Sequence, residues 1–143
     1  MPIPQPEPGL VISYSYLWRH EHSNDLKEGR KTRPCVIVLA VEENDGEKIV
    51  TVVPITHTTP NNLSCAIEIP LKVKQHLKLD DNQSWIMIDE VNQFTWPGYD
   101  LRPTPNNKTR YDFGFIPPKL FDKIKTALLN LFLERRVKLV KRD

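Results

Sequence analysis

Arg33, Thr56, His57, Asp89 and the run His20-Glu21-His22 are the side chains of this sequence whose types could do chemistry together. They supply a cation, a hydroxyl, imidazoles and carboxylates. Such a set can break an RNA phosphodiester without a metal. A base takes the 2′-hydroxyl proton, an acid protonates the leaving 5′-oxygen, and a cation stabilises the crowded phosphate. Arginine suits the phosphate, and histidine and carboxylates suit the proton transfers. By residue type alone the set is weakly diagnostic, because polar loops and strand ends carry the same residues where they meet water. Other chemistries have less behind them. His20-Glu21-His22 lacks HExxH spacing, and no Cys/His cluster completes a zinc site. There is no Gly-rich phosphate loop and no GxSxG elbow, so nucleotide hydrolysis and serine-hydrolase chemistry lack support.

The elements that must position these residues centre on 31–58, KTRPCVIVLAVEENDGEKIVTVVPITHT. Two apolar, β-branched runs, 35–41 and 49–55, flank a polar segment with Asp45-Gly46 at its centre, which predicts a hairpin. Each run is nearly continuous in Val and Ile, so both faces should be covered. An antiparallel hairpin brings its first and last residues side by side, so Arg33 and Thr56 should be neighbours at one end of the sheet. A cation beside a hydroxyl is suited to an anion.

Around the hairpin, residues 1–8 alternate with proline and read as a flexible, extended lead-in. Residues 10–18, LVISYSYLW, read as a first strand, and 19–32 as a long polar loop of the kind that is often functional. Residues 65–69 and 85–91 read as further strands, 70–77 as one or two helical turns, and 94–111 as turn-rich with a short strand around 100–102. Residues 116–136 form the one long helix, with Pro117 and Pro118 in its first turn and an apolar face of Leu120, Ile124, Ala127, Leu128 and Leu131. Phe121, Phe132 and Leu133 widen that face, so the helix either packs deeply or offers apolar surface to a partner. The tail 135–142, RRVKLVKR, carries five bases and reads as a solvated helix end, or else as a contact for nucleic acid or an acidic partner. Five or more short strands and one C-terminal helix predict a mainly β fold, a small barrel or curved sheet capped by that helix.

The 143 residues fit a single domain, 9–143 after the lead-in, with a hydrophobic fraction of 39%. A net charge of +2 does not by itself announce nucleic-acid binding. Cys35 and Cys65 stand alone inside predicted strands, which argues for a reducing compartment and structural burial. No apolar run reaches the roughly 18 residues of a membrane span, and 1–8 lack the pattern of a signal peptide.

Several of these residues also carry a resemblance. His20-Glu21, Gly29, Arg33-Pro34 leading into an apolar strand, and Val52-Val53-Pro54-Ile55-Thr56 resemble the MazF/PemK toxins of type II toxin–antitoxin systems. Residues 85–90, WIMIDE, are similar to a strand that ends in Asp-Gln in that family, and the likeness runs from about Gly9 to Leu133. His57–Pro60 and Gly114–Phe121 look like a divergent PemK-like branch of growth inhibitors. The resemblance implies an SH3-like barrel of the MazF/PemK/CcdB type with a C-terminal helix. It implies a cytoplasmic, homodimeric, cofactor-independent and metal-independent endoribonuclease acting on single-stranded RNA. It also implies inhibition by a cognate antitoxin, DNA binding as the antitoxin complex, and a part in plasmid maintenance. By position, Arg33 would stabilise the scissile phosphate, with Thr56 beside it. His20, Glu21 and Asp89 would be acid–base or orienting groups, and Arg19, His57, Thr58 and Glu90 would contact substrate. The sequence departs from the family in a longer first loop, in Met87 where some PemK-type members place an arginine, and in Glu90 where glutamine is usual. A non-catalytic alternative on the same fold is a CcdB-like gyrase poison, or a barrel that binds RNA without cutting it.

Overall fold

A computed structural model describes residues 3–17, 31–80 and 82–142. The predicted hairpin is its spine: β2 (Lys31–Glu42) and β3 (Lys48–Thr56) pair antiparallel from Cys35 opposite Pro54 to Glu42 opposite Lys48. The register shifts once, between Ile37 and Leu39, which adds curvature. At the tip Gly46 adopts φ 86°, donates to the Glu43 carbonyl at 3.0 Å, and the Asp45 carboxylate accepts from Glu47 N at 3.0 Å. Asp-Gly suits this turn because the glycine takes a positive φ without steric cost.

β1 (Leu10–Tyr16) lies on the other edge of β2 and pairs in turn with β7 (Asp112–Phe115). The free edge of β3 is shared. Its first half pairs with β6 (Glu90–Thr95), and Ile55 and Thr56 pair with β5 (Trp85–Met87), which carries β4 (Ala66–Glu68). β8 (Lys138–Lys141) runs parallel to β6. The result is one curled, eight-stranded half-barrel. Its ends are drawn together by the Asn92 side chain of β6: Oδ1 accepts from Leu17 N at 3.0 Å and Nδ2 donates to Leu17 O at 2.8 Å. A side-chain amide thus satisfies main-chain groups that a ladder would otherwise pair.

Both faces of the central strands are covered, as their unbroken apolar runs imply. Val11, Val36, Val53, Ile55, Ile67 and Ile86 pack under α2 (Pro118–Leu133), against Leu120, Ile124 and Leu131. Ile12, Tyr14, Tyr16, Ile37, Val50, Val52 and Phe94 fill the opposite face, where Tyr14 and Phe94 stack at 4.7 Å. Pro118 opens α2, where its missing N–H has no intrahelical partner to lose. The helix packs with one side, and Leu129, Phe132 and Leu133 remain exposed on another. No helix among the described residues is long and apolar enough to cross a membrane.

The structure corrects four readings of the sequence. The run 85–91 is two strands: six steps of chain from Ile86 to Asn92 accompany only three steps of β3, from Ile55 to Val52, so the residues between loop out. There Ile88 N donates to Cys65 O and Asp89 O accepts from Lys138 N. Cys65 lies in a 3₁₀ turn, Leu63–Cys65, rather than in a strand. Phe94 and Thr95 belong to β6, and the short strand expected around 100–102 is a single bridge between Leu101 and Tyr14. The basic tail is not a solvated helix end. It forms β8 and brings Arg142 to a buried contact with Asp100 at 2.6 Å. The described part of the lead-in lies beside the hairpin, with Pro6 buried and Gln5 accepting from Lys48 Nζ at 3.0 Å.

Candidate active site

Continuing the β2–β3 register past Cys35 and Pro54 sets Arg33 opposite Thr56, and both line one pocket of about 420 Å³. His57, the next residue, lines it too. The hairpin end supplies one wall, with Thr32, Arg33, Pro34, Thr56 and His57. The segment that leaves α1 (Leu71–His76) supplies a second, with Lys74, Lys78, Leu79, Asp80 and Ser84. Pro105, Asn106 and Phe113 add a third, partly apolar side. A pocket lined by Arg33 and Lys78 together with Leu79, Pro105 and Phe113 is suited to a phosphate that carries a base.

Thr56 is buried, and its Oγ1 accepts from Thr58 N at 3.2 Å. A hydroxyl used as acceptor keeps its hydrogen to donate, so Thr56 can offer it to an anion. Lys74 is 2% exposed although charged. Its Nζ meets Asp80 Oδ1 at 2.8 Å and Ser84 Oγ at 2.7 Å, and it also donates to the Asn82 carbonyl. Asp80 Oδ2 meets His57 Nε2 at 2.7 Å. Partial burial pushes the Asp80 carboxyl up, but the Lys74 hydrogen bond, the nearby charges of His57 and Lys74, and the Asn82 N–H outweigh it and hold the group below its ordinary value.

Three of the candidates named from the sequence therefore meet at one pocket: Arg33, Thr56 and His57. Thr58 is exposed beside them and bonds to Thr56. Asp89 and Glu90 do not line the pocket. Asp89 is half-buried between β5 and β6, and Glu90 is buried with its Oε2 accepting from the Tyr16 hydroxyl at 3.4 Å. Burial and the Glu90 charge push the Tyr16 phenol well up. Arg19, His20 and Glu21 lie outside the described residues. Burial likewise pushes the Cys35 thiol far up, which suits a core residue. Among the described residues, no three His, Cys, Asp or Glu side chains gather at one point.

The sequence reading missed Asp80, Lys74 and Ser84. One signal was present. Lys74 occupies the position between Leu71 and Leu77 on a helical spacing, where a lysine faces the core and needs a partner.

Residues 19–132 match the family described as PemK-like, MazF-like toxin of type II toxin-antitoxin system. This chain belongs to that family. The match covers most of the sequence, and the curled half-barrel with one long C-terminal helix is consistent with the PemK/MazF fold. Toxins of the family normally bind a cognate antitoxin and act on RNA. In this PemK-like chain one wall of the pocket comes from Arg33-Pro34 and Ile55-Thr56, which lie within the matched residues. A search of curated protein sequences finds no match.

Proposed function

We propose that this PemK-like chain is a toxin that cuts single-stranded RNA by attack of the 2′-hydroxyl on the adjacent phosphate, without a metal. The observation that carries the reading is the meeting of Arg33, Thr56 and His57 at one pocket. Cleavage by this route leaves a 2′,3′-cyclic phosphate and a 5′-hydroxyl. The phosphate gains negative charge on the way. A guanidinium holds two of its oxygens at once, and the Thr56 hydroxyl adds a neutral donor beside it. Proton transfer needs a histidine or carboxylate at the same place. Among the described residues lining the pocket these are His57 and Asp80. His20 and Glu21, from the segment that leads into β2, remain candidates for orienting the RNA. Asp89, which lies off the pocket lining, serves as a more distant orienting group, and Arg19 and Thr58 as RNA contacts.

The same reading takes the toxin as a cytoplasmic homodimer, with exposed Leu129, Phe132 and Leu133 of α2 as apolar surface for a second copy. An acidic, flexible segment of the antitoxin competes with RNA for the pocket that Arg33 lines. The antitoxin complex binds DNA and serves plasmid maintenance.

Arg33 gives the test. Losing one preorganised donor to a developing anion lowers rates by roughly 10²–10³-fold. Arg33→Ala is expected to remove most RNA cleavage and growth inhibition while the protein melts near the wild-type temperature. Arg33→Lys keeps the charge, loses the paired geometry and recovers only part of the rate. Wild-type cleavage by Arg33→Ala, or loss of activity explained by melting alone, contradicts the assignment.

A further inference from the structure

We infer that His57 is the catalytic residue that takes the 2′-hydroxyl proton, and that Asp80, clamped by Lys74, is the positioning residue that sets its ring. This deepens the RNA-cleavage reading above and rests on it.

Lys74 is the starting point. A lysine is almost never this buried unless its charge is paired. Its ammonium has three hydrogens, and three acceptors take them: Asp80 Oδ1, Ser84 Oγ and the Asn82 carbonyl. It lines the pocket yet has no donor left for a phosphate. Its charge serves Asp80 instead.

Asp80 is thereby fixed through one oxygen. Oδ1 receives Lys74 at 2.8 Å and Asn82 N at 3.0 Å, and Oδ2 is turned to His57 Nε2 at 2.7 Å. His57 and Asp80 are each about half exposed, at 47% and 48%, and an ordinary pair that open to water contributes little to stability. The buried lysine behind this one is what a chance surface pair lacks. A carboxylate that accepts from one ring nitrogen decides which tautomer the neutral imidazole adopts. With the Asp80 carboxylate 2.7 Å from Nε2, the ring hydrogen of the neutral form is assigned to Nε2 and the lone pair to Nδ1. Nδ1 has no hydrogen-bond partner among the described residues. The ring directly follows Thr56, in the pocket that Arg33 lines.

The chemistry follows from that arrangement. Nδ1 takes the proton of the 2′-hydroxyl as the 2′-oxygen bonds to phosphorus and the bond from phosphorus to the 5′-oxygen breaks. The 5′-oxygen takes a proton from water, and the hydroxide formed takes the one held by His57. The net change moves one proton from O2′ to O5′ and consumes no water. Asp80 holds the imidazolium in place and offsets its charge.

The experiment measures kcat and KM of the full chain on a mixed-sequence, single-stranded RNA in EDTA, with melting curves and long-range ¹H–¹⁵N spectra of the His57 ring. Wild type is expected to cut, with the neutral ring protonated at Nε2. His57→Ala and His57→Gln are expected to lower kcat about 10²–10⁴-fold. Asp80→Asn, which keeps the shape and loses the charge, should lower kcat about 10- to 100-fold at nearly constant KM and abolish the single tautomer. Asp80→Glu should restore part of both. If wild type cuts and the folded His57 variants cut at its rate, the inference is wrong and the RNA-cleavage reading stands. An effect of Asp80→Asn confined to melting or KM, or a ring protonated at Nδ1, also overturns it. A wild type that cuts no RNA overturns both readings together.

Discussion

Replacing Arg142 with alanine tests how the barrel is held shut. The Arg142 side chain is 2% exposed and that of Asp100 is 10%, with 2.6 Å between them. The same guanidinium donates to Ser15 O at 3.0 Å and to Asn92 Oδ1 at 3.1 Å, and lies 5.6 Å from the centre of the Tyr14 ring. One side chain thus ties β1, β6 and the 96–100 turn to the end of β8. Arg142→Ala removes a cation from beside a nearly dry carboxylate, and breaking a buried pair from one side costs about 3–5 kcal/mol. That is a large share of the roughly 5–15 kcal/mol by which a domain is stable. At about 3 °C per kcal/mol for a chain of this size, the melting temperature should fall by roughly 10–15 °C. Urea unfolding of Arg142→Ala, Asp100→Asn and the double variant apportions the effect. Adding Asp100→Asn to Arg142→Ala should recover a good part of the loss, because the buried side chain at position 100 then carries no charge. A single-variant loss under about 1 kcal/mol, or no recovery in the double variant, would refute the argument that desolvation makes this pair costly to break.

Other consequences can be checked alongside. Gly98 has φ 70°, and a Cβ there would lie 2.9 Å from Phe94 Cδ2 and 3.2 Å from Thr95 O, so Gly98→Ala should destabilise by about 1–3 kcal/mol in thermal melts. Gly46→Ala has the same backbone problem with nothing within 4 Å, so it should cost less, about 1 kcal/mol. The Asp80 carboxyl is held below its ordinary value, so the unfolded chain takes up this proton first as pH falls. Its contribution to stability is present above the ordinary Asp value of about 4 and is lost as pH drops through the lower folded-state value. Asp80→Asn should therefore flatten the acid limb of stability below about pH 4, read by melting against pH. Sedimentation at micromolar concentration should show a dimer that Phe132→Glu weakens, and a clean monomer would contradict the assignment of the exposed α2 surface.

The hairpin was legible because two long Val/Ile runs and Asp45-Gly46 leave few alternatives, and its register brings Arg33 to Thr56. His57 came with them as the next residue. The second wall was not legible. Asp80 reaches His57 across 23 positions of sequence, and no local pattern says that the segment after α1 folds back onto the hairpin end. β7 was hidden because Gly114 interrupts a four-residue strand, and β8 because Lys138 and Lys141 flank its single buried residue, Val140. In both cases pairing with a neighbouring strand, rather than local pattern, makes the strand. The tail shows the same limit in charge. Five bases suggested a solvated helix end, yet the Arg142 side chain is only 2% exposed because Asp100 lies opposite it. Glu90 looked like a site residue, and the structure places it inside, against Tyr16.

The central claim is that this toxin-family pocket cuts RNA without a metal, and the most direct test is to incubate the purified protein with long single-stranded RNA, with and without EDTA, and to identify the new ends. The account predicts cleavage unchanged by EDTA, with 2′,3′-cyclic phosphate and 5′-hydroxyl ends. Cleavage that EDTA abolishes and a divalent ion restores, or no cleavage together with inhibition of gyrase, would contradict it.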